Sequence, residues 1–149
     1  MEASNDLPAV DTLTEYLEAG MRENALACLE RYESAAVEDR KAATRALRDL
    51  GTDQPTVFTS VLPGLVPFLT DQERSIRLTT AKLVVAVADA APEAGSAIVP
   101  ALADRLADND EFYNVRARSA EALGYVALGD PEAVASPEIL AELRIGLSF

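Results

Sequence analysis

Apolar residues recur at three- and four-residue steps along most of the chain, the spacing of amphipathic helices. In the first such run Leu7, Val10, Leu13, Tyr16 and Leu17 predict a helix over 7–19, closed by Gly20 as its C-cap. Leu26, Leu29 and Tyr32 predict a second over about 22–34, and a third runs over about 37–50 to end at Gly51. Thr52-Asp53-Gln54-Pro55 reads as a loop and helix start. The wide apolar surface from Val57 to Leu69 is interrupted by Pro63 and Pro67. A proline inside a helix removes a hydrogen bond and clashes with the preceding turn, at about 3 kcal/mol. The expectation is a kink near Pro63, or a short helix followed by another. Thr70-Asp71 makes a turn into a helix over about 73–89. Pro92 stands near the first position of the next helix, which carries Ile98, Leu102 and Leu106 and ends near Ala107. Asp108-Asn109-Asp110 is a turn, a helix over about 112–128 follows, and Gly129 stops it. Ser136-Pro137-Glu138 then starts a last helix over 136–148. Alternating Val/Ile/Thr runs are absent, so the class is all-α.

The third, fifth and seventh of these segments are copies of one another. Arg40, Arg77 and Arg116 open them, at steps of 37 and 39 residues. Small pairs follow at Thr80-Ala81 and Ser119-Ala120, then aliphatics at helical spacing. Self-similarity at about 35–45 residues signals stacked helical units, an α-solenoid. The reading is one domain over 1–149, with repeats at roughly 22–51, 55–90 and 92–129 between an N-terminal helix (7–19) and a C-terminal helix (136–148). No partner helix follows the last one before Phe149, so it either caps the stack or belongs to a longer chain. Its outer side, with Ile145, Leu147 and Phe149, could support self-association.

With these residues in place the chain resembles the HEAT-repeat family, including the short HEAT-like repeats of the bilin-lyase group. The family unit pairs a helix A with a helix B. Its marks are a Pro in helix A, an Asp at the turn eight residues on, and a Val-Arg pair opening helix B. Pro63, Asp71 and Ile76-Arg77 match at those separations. The next unit matches at Asp110 and Val115-Arg116, with Pro100 two residues further back than expected, in agreement with the 39-residue step and two residues inserted in this unit. The first unit departs, with Ser34 at the Asp place and Asp39 at the Val place, as a degenerate end repeat would. The resemblance implies a right-handed α-solenoid of antiparallel helix pairs, about three repeats between capping helices. It also implies that Asp71, Arg77, Asp110 and Arg116 form a structural ladder, each Arg reaching its own or a neighbouring Asp.

Charge changes the picture next. The chain carries 25 acids against 13 bases, a formal net charge of −12. Only Lys41 and Lys82 are lysines. Acid-rich, lysine-poor surfaces suit concentrated salt, where like charges are screened within a few Å. This predicts a halophilic, archaeal cytoplasm. No apolar run is long enough to span a membrane and no leader is visible, which also points to a cytoplasmic protein with no membrane partner. The single cysteine, Cys28, lies in an apolar run and reads as a small buried hydrophobe.

The chain contains no histidine, which removes His bases, Ser-His and Cys-His nucleophiles and His metal ligands. Asp108-Asn109-Asp110-Glu111 lacks the glycine and closing Glu of a dedicated cation loop and reads as a solvated turn. Gly124 reads as a packing glycine, and no phosphate-binding glycine loop is present. The expectation is therefore a protein without enzymatic activity, metal or cofactor. The informative surface is the solvent side of the repeated helices. Lys41, Arg45, Leu78, Lys82, Val85, Ala117, Glu121 and Tyr125 share that side, joined by Arg48 and Arg118. In the family, B helices line the concave face where partners sit. A basic strip there predicts a scaffold for another protein or an acidic peptide. The alternative is a nucleic-acid backbone, opposed by the overall acidity and the lack of stacking aromatics.

Overall fold

A computed structural model describes residues 7–135. The helix expected over 136–148 lies outside the described residues. Seven helices pack around one core, and no strand occurs among the described residues. They are α1 (Val10–Glu18), α2 (Arg22–Glu33), α3 (Val37–Asp53), α4 (Val66–Leu69), α5 (Arg74–Ala90), α6 (Val99–Ala107) and α7 (Tyr113–Gly129). The three repeated segments are the three long helices, each of 17 residues. α5 packs against both α3 and α7, while α4 packs on α5 and α6 on α7.

The stops have two physical causes. At the end of α1, Gly20 takes φ 72°, and it alone has a positive φ among the described residues. The Gly20 N–H donates to Leu17 O and the Met21 N–H to Tyr16 O, at 3.1 and 2.9 Å. This is the bonding of a left-handed glycine cap, as expected. The long helices end differently. α3 runs through Gly51 to Asp53, and α7 includes Gly129, so neither glycine is the stop. Each long helix ends instead at a residue followed by proline: Gln54-Pro55, Ala91-Pro92 and Asp130-Pro131. The three residues before proline have nearly one conformation, φ/ψ of −137/66°, −143/74° and −149/75°. Each donates its N–H to the carbonyl four residues back, at 2.7–2.8 Å. The following proline disfavours α geometry at the residue before it, so the same stop is written three times.

Proline also explains the stretch before α5. The expected kinked helix is broken into a 3₁₀ turn at Pro55–Phe58, another at Leu62–Leu65, and the single-turn α4. A proline stands at the first or second position of each piece, where its missing N–H costs nothing. The second copy of this stretch is a 3₁₀ segment at Pro92–Ile98 followed by α6. Phe58, Leu62, Leu65, Phe68 and Leu69 are all buried in the core, as are Ile98, Leu102 and Leu106. Full burial of one such side chain is worth about 1.5–3 kcal/mol.

Between the long helices runs a seam of small residues: Ala43-Thr44, Thr80-Ala81 and Ser119-Ala120, all buried. Their hydroxyls are satisfied within their own helix. Thr44 donates to Arg40 O, Thr80 to Ile76 O and Ser119 to Val115 O, at 2.7–2.9 Å. The polar atom is thereby turned back to its own backbone, leaving only a methyl-sized bulk at the contact. Glycine serves the same closeness elsewhere. A Cβ on Gly51 would collide with Leu83, one on Gly95 with Val126, and one on Gly129 would sit 2.6 Å from Pro92 Cβ. Among the described residues no helix is long and apolar enough to cross a membrane.

Candidate binding face and the ion pairs beneath it

The first two opening arginines reach forward along the chain into the following turn. Arg40 clamps Asp71 with two bonds, Nε to Oδ2 at 2.8 Å and an amino group to Oδ1 at 3.2 Å. Arg77 clamps Glu111 in the same way, at 2.8 and 2.9 Å. Arg77 also donates to the carbonyl of Asp71, at 2.8 Å. Paired forks of this kind are the geometrically most specific ion pairs. Thus Asp71 and Arg77 are both placed in a ladder, but their partners are Arg40 and Glu111, each from a neighbouring copy.

Asp110 does not take the place anticipated for it. It is exposed, and its N–H donates to Asp108 Oδ1 at 2.9 Å. In the preceding copy the Glu73 N–H donates to Asp71 Oδ1 at 2.8 Å. Asp108 is therefore the counterpart of Asp71 in the turn, and it stands eight residues after Pro100 as Asp71 does after Pro63. The two inserted residues fall between Asp108 and Arg116, since Asp71 and Arg77 are six apart and Asp108 and Arg116 eight. The insertion divides one job between two residues: Asp108 shapes the turn and Glu111 receives the arginine. Arg116, the third opening arginine, donates to Leu106 O at 2.9 Å and holds the end of α6.

Glu111 is consequently not part of a solvated turn. Its side chain is 1% exposed and takes a second arginine, Arg105 of α6, at 2.8 Å. The Phe112 N–H donates to its other oxygen at 2.7 Å. Burial opposes ionisation of this carboxyl. The hydrogen bonds from Arg77, Arg105 and the Phe112 amide outweigh it and hold the pKa below the usual glutamate value. Arg74, the first residue of α5, lies over the Phe112 ring at 4.1 Å and adds a cation–π contact across the same junction.

The anticipated face lies on the three long helices, and none of its eight residues is buried. Lys41 and Arg45 are on α3, Leu78, Lys82 and Val85 on α5, and Ala117, Glu121 and Tyr125 on α7. Lys41, Leu78, Val85, Ala117, Glu121 and Tyr125 are half-buried, and Val85 and Tyr125 also pack on the core. Several charges are locally neutralised. Lys41 is 3.9 Å from Glu38, Arg48 is 3.7 Å from Asp49, and Arg118 is 2.8 Å from Glu121. Arg45 and Lys82 are exposed and make no ion pair among the described residues. They occupy the same place on α3 and α5, five residues after the opening arginine.

A cleft of about 340 Å³ lies elsewhere, between α1 and α2, lined by Pro8, Thr12, Tyr16, Asn24 and Cys28 among others. The Cys28 thiol is buried and its pKa is raised by that burial, against a smaller opposing pull from Arg31, which disfavours the thiolate. Among the described residues no three Asp, Glu or Cys side chains are grouped to hold a metal ion. A comparison with protein families, curated proteins and solved structures finds no match to this chain.

Proposed function

We propose that the chain is a binding scaffold without enzymatic activity, a HEAT-like α-solenoid whose paired helices present α3, α5 and α7 to a protein partner. The partner contacts the outer side of these helices with an acidic segment. One observation carries the reading: Arg45 and Lys82 stand exposed, with no ion pair among the described residues, at equivalent places on adjacent helices of a chain with net charge −12. Other cations on the three helices are spent on carboxylates, as in the Arg40 and Arg77 clamps, on the Phe112 ring at Arg74 and on a carbonyl at Arg116. A cation left without a local acid on so acidic a surface is where an outside acid gains most. The absence of histidine and the burial of Cys28 support a role other than catalysis. The acid excess supports action in a salt-rich cytoplasm.

The test is affinity capture from a salt-matched cell extract, with wild type beside Lys41→Glu/Arg45→Glu/Lys82→Glu. A protein retained by wild type and lost by the variant supports the scaffold. Identical capture by both places the binding surface elsewhere. Loss of capture on nuclease treatment alone transfers the face to a nucleic-acid backbone, and duplex binding would then fall steeply with salt.

A further inference from the structure

Gly124 sits in the interior of α7, it is exposed, and a Cβ built on it would meet no atom within 4 Å among the described residues. No described residue packs against it in the way its sequence context suggested. Its φ is not positive, so no left-handed backbone demands glycine either. Gly51, Gly95 and Gly129 contrast with it, since each is crowded by a neighbouring side chain. An interior glycine weakens a helix relative to alanine. The gain that offsets this weakness is close approach, because glycine lets another backbone come nearer than any side chain does.

The place of Gly124 says what approaches. It is the α7 counterpart of Arg48 on α3 and Val85 on α5. Tyr125 is its half-buried neighbour, and Leu128, one turn on, is 78% exposed. The face thus combines an open glycine, half-exposed apolar groups at Leu78, Val85 and Tyr125, and the unpaired cations Arg45 and Lys82. Apolar contact, close backbone approach and complementary charge together suit an amphipathic helix with acidic flanks. They do not suit a nucleic-acid backbone, which has no apolar stripe to offer.

We infer that the partner of this face is an acidic amphipathic helix that crosses α7 at Gly124; the inference rests on the proposed scaffold function. The helix lays its small or apolar residues over Gly124 and Tyr125 and directs its carboxylates to Lys82 and Arg45.

A displayed library of helical peptides with randomised outer positions tests this when panned on the full chain. Enriched peptides are measured by fluorescence anisotropy against wild type, Gly124→Ala, Gly124→Leu and the Lys41→Glu/Arg45→Glu/Lys82→Glu variant. The expected result is enrichment of acidic peptides that bind Gly124→Leu roughly tenfold or more weakly, as overpacking of a close contact predicts. Gly124→Ala is expected to raise Tm by about 3 °C, because the chain itself loses nothing there. That rise separates a binding defect from misfolding. Peptides weakened by the triple variant but indifferent to Gly124→Leu overturn the helix crossing and leave the scaffold reading standing. Peptides indifferent to the triple variant, or no enrichment at all, overturn both.

Discussion

Glu111 shows how far one residue's surroundings decide its chemistry. In the sequence it is the fourth member of an acidic run, and in the fold it is buried beneath two guanidinium groups. Removing one partner from a buried ionic cluster leaves the others uncompensated, at about 3–5 kcal/mol. Glu111→Gln is expected to lose about 3 kcal/mol of unfolding free energy at neutral pH, measured by urea denaturation. The pH dependence has a definite sign. The folded-state pKa is depressed relative to about 4.3 in the unfolded chain, so the unfolded state binds the proton first. The stabilisation is fully present above that unfolded value and is lost as pH falls through the folded one. The gap between wild type and Glu111→Gln therefore narrows below about pH 4. A gap that stays constant with pH would mean that the charge of Glu111 is not what the arginines hold.

At the scale of elements, close contact between α3, α5 and α7 depends on the small seam. Ala81 and Ala120 are 0% and 4% exposed. Ala81→Leu and Ala120→Leu are each expected to cost roughly 1–3 kcal/mol, read from the urea midpoint, because a well-packed contact has no room for three more carbons. The seven helices and the seam were legible because both follow from periodicity and residue size, which are local properties. The ends of the long helices were not. Gly51 and Gly129 have the look of caps, but the prolines four and two residues later do the stopping, and both glycines are kept for packing. The broken stretch from Pro55 to Leu69 was half legible. Its prolines announced an interruption without saying that 3₁₀ turns would absorb it. The ladder was legible in its arginines and in Asp71. The last acid was misplaced because Asp108, Asp110 and Glu111 crowd one turn, and only the fold shows which of them points inward. Gly124 carries no sequence signal that separates a crowded glycine from an open one.

Over the whole molecule the charge is strongly unbalanced, and the imbalance acts against compactness. A net charge of −12 repels itself in dilute buffer. Added salt screens that repulsion within about 3 Å at molar strength, while the buried clamps of Arg40 and Arg77 are screened much less. The urea midpoint is expected to rise from low salt to molar KCl, and a midpoint indifferent to salt would remove the halophilic reading. The wider account divides the cations of the long helices in two. One set locks each copy to the next, and the other is left for a partner. The most direct test is one comparison of unfolding free energies at neutral pH, Arg77→Gln against Lys82→Glu. Arg77→Gln is expected to lose about 3 kcal/mol because Glu111 would keep a buried charge with half its partners gone. Lys82→Glu is expected to stay within about 0.5 kcal/mol of wild type, as surface changes do. Equal losses, or a larger loss at Lys82, would contradict the division and with it the assignment of the outer face to a partner.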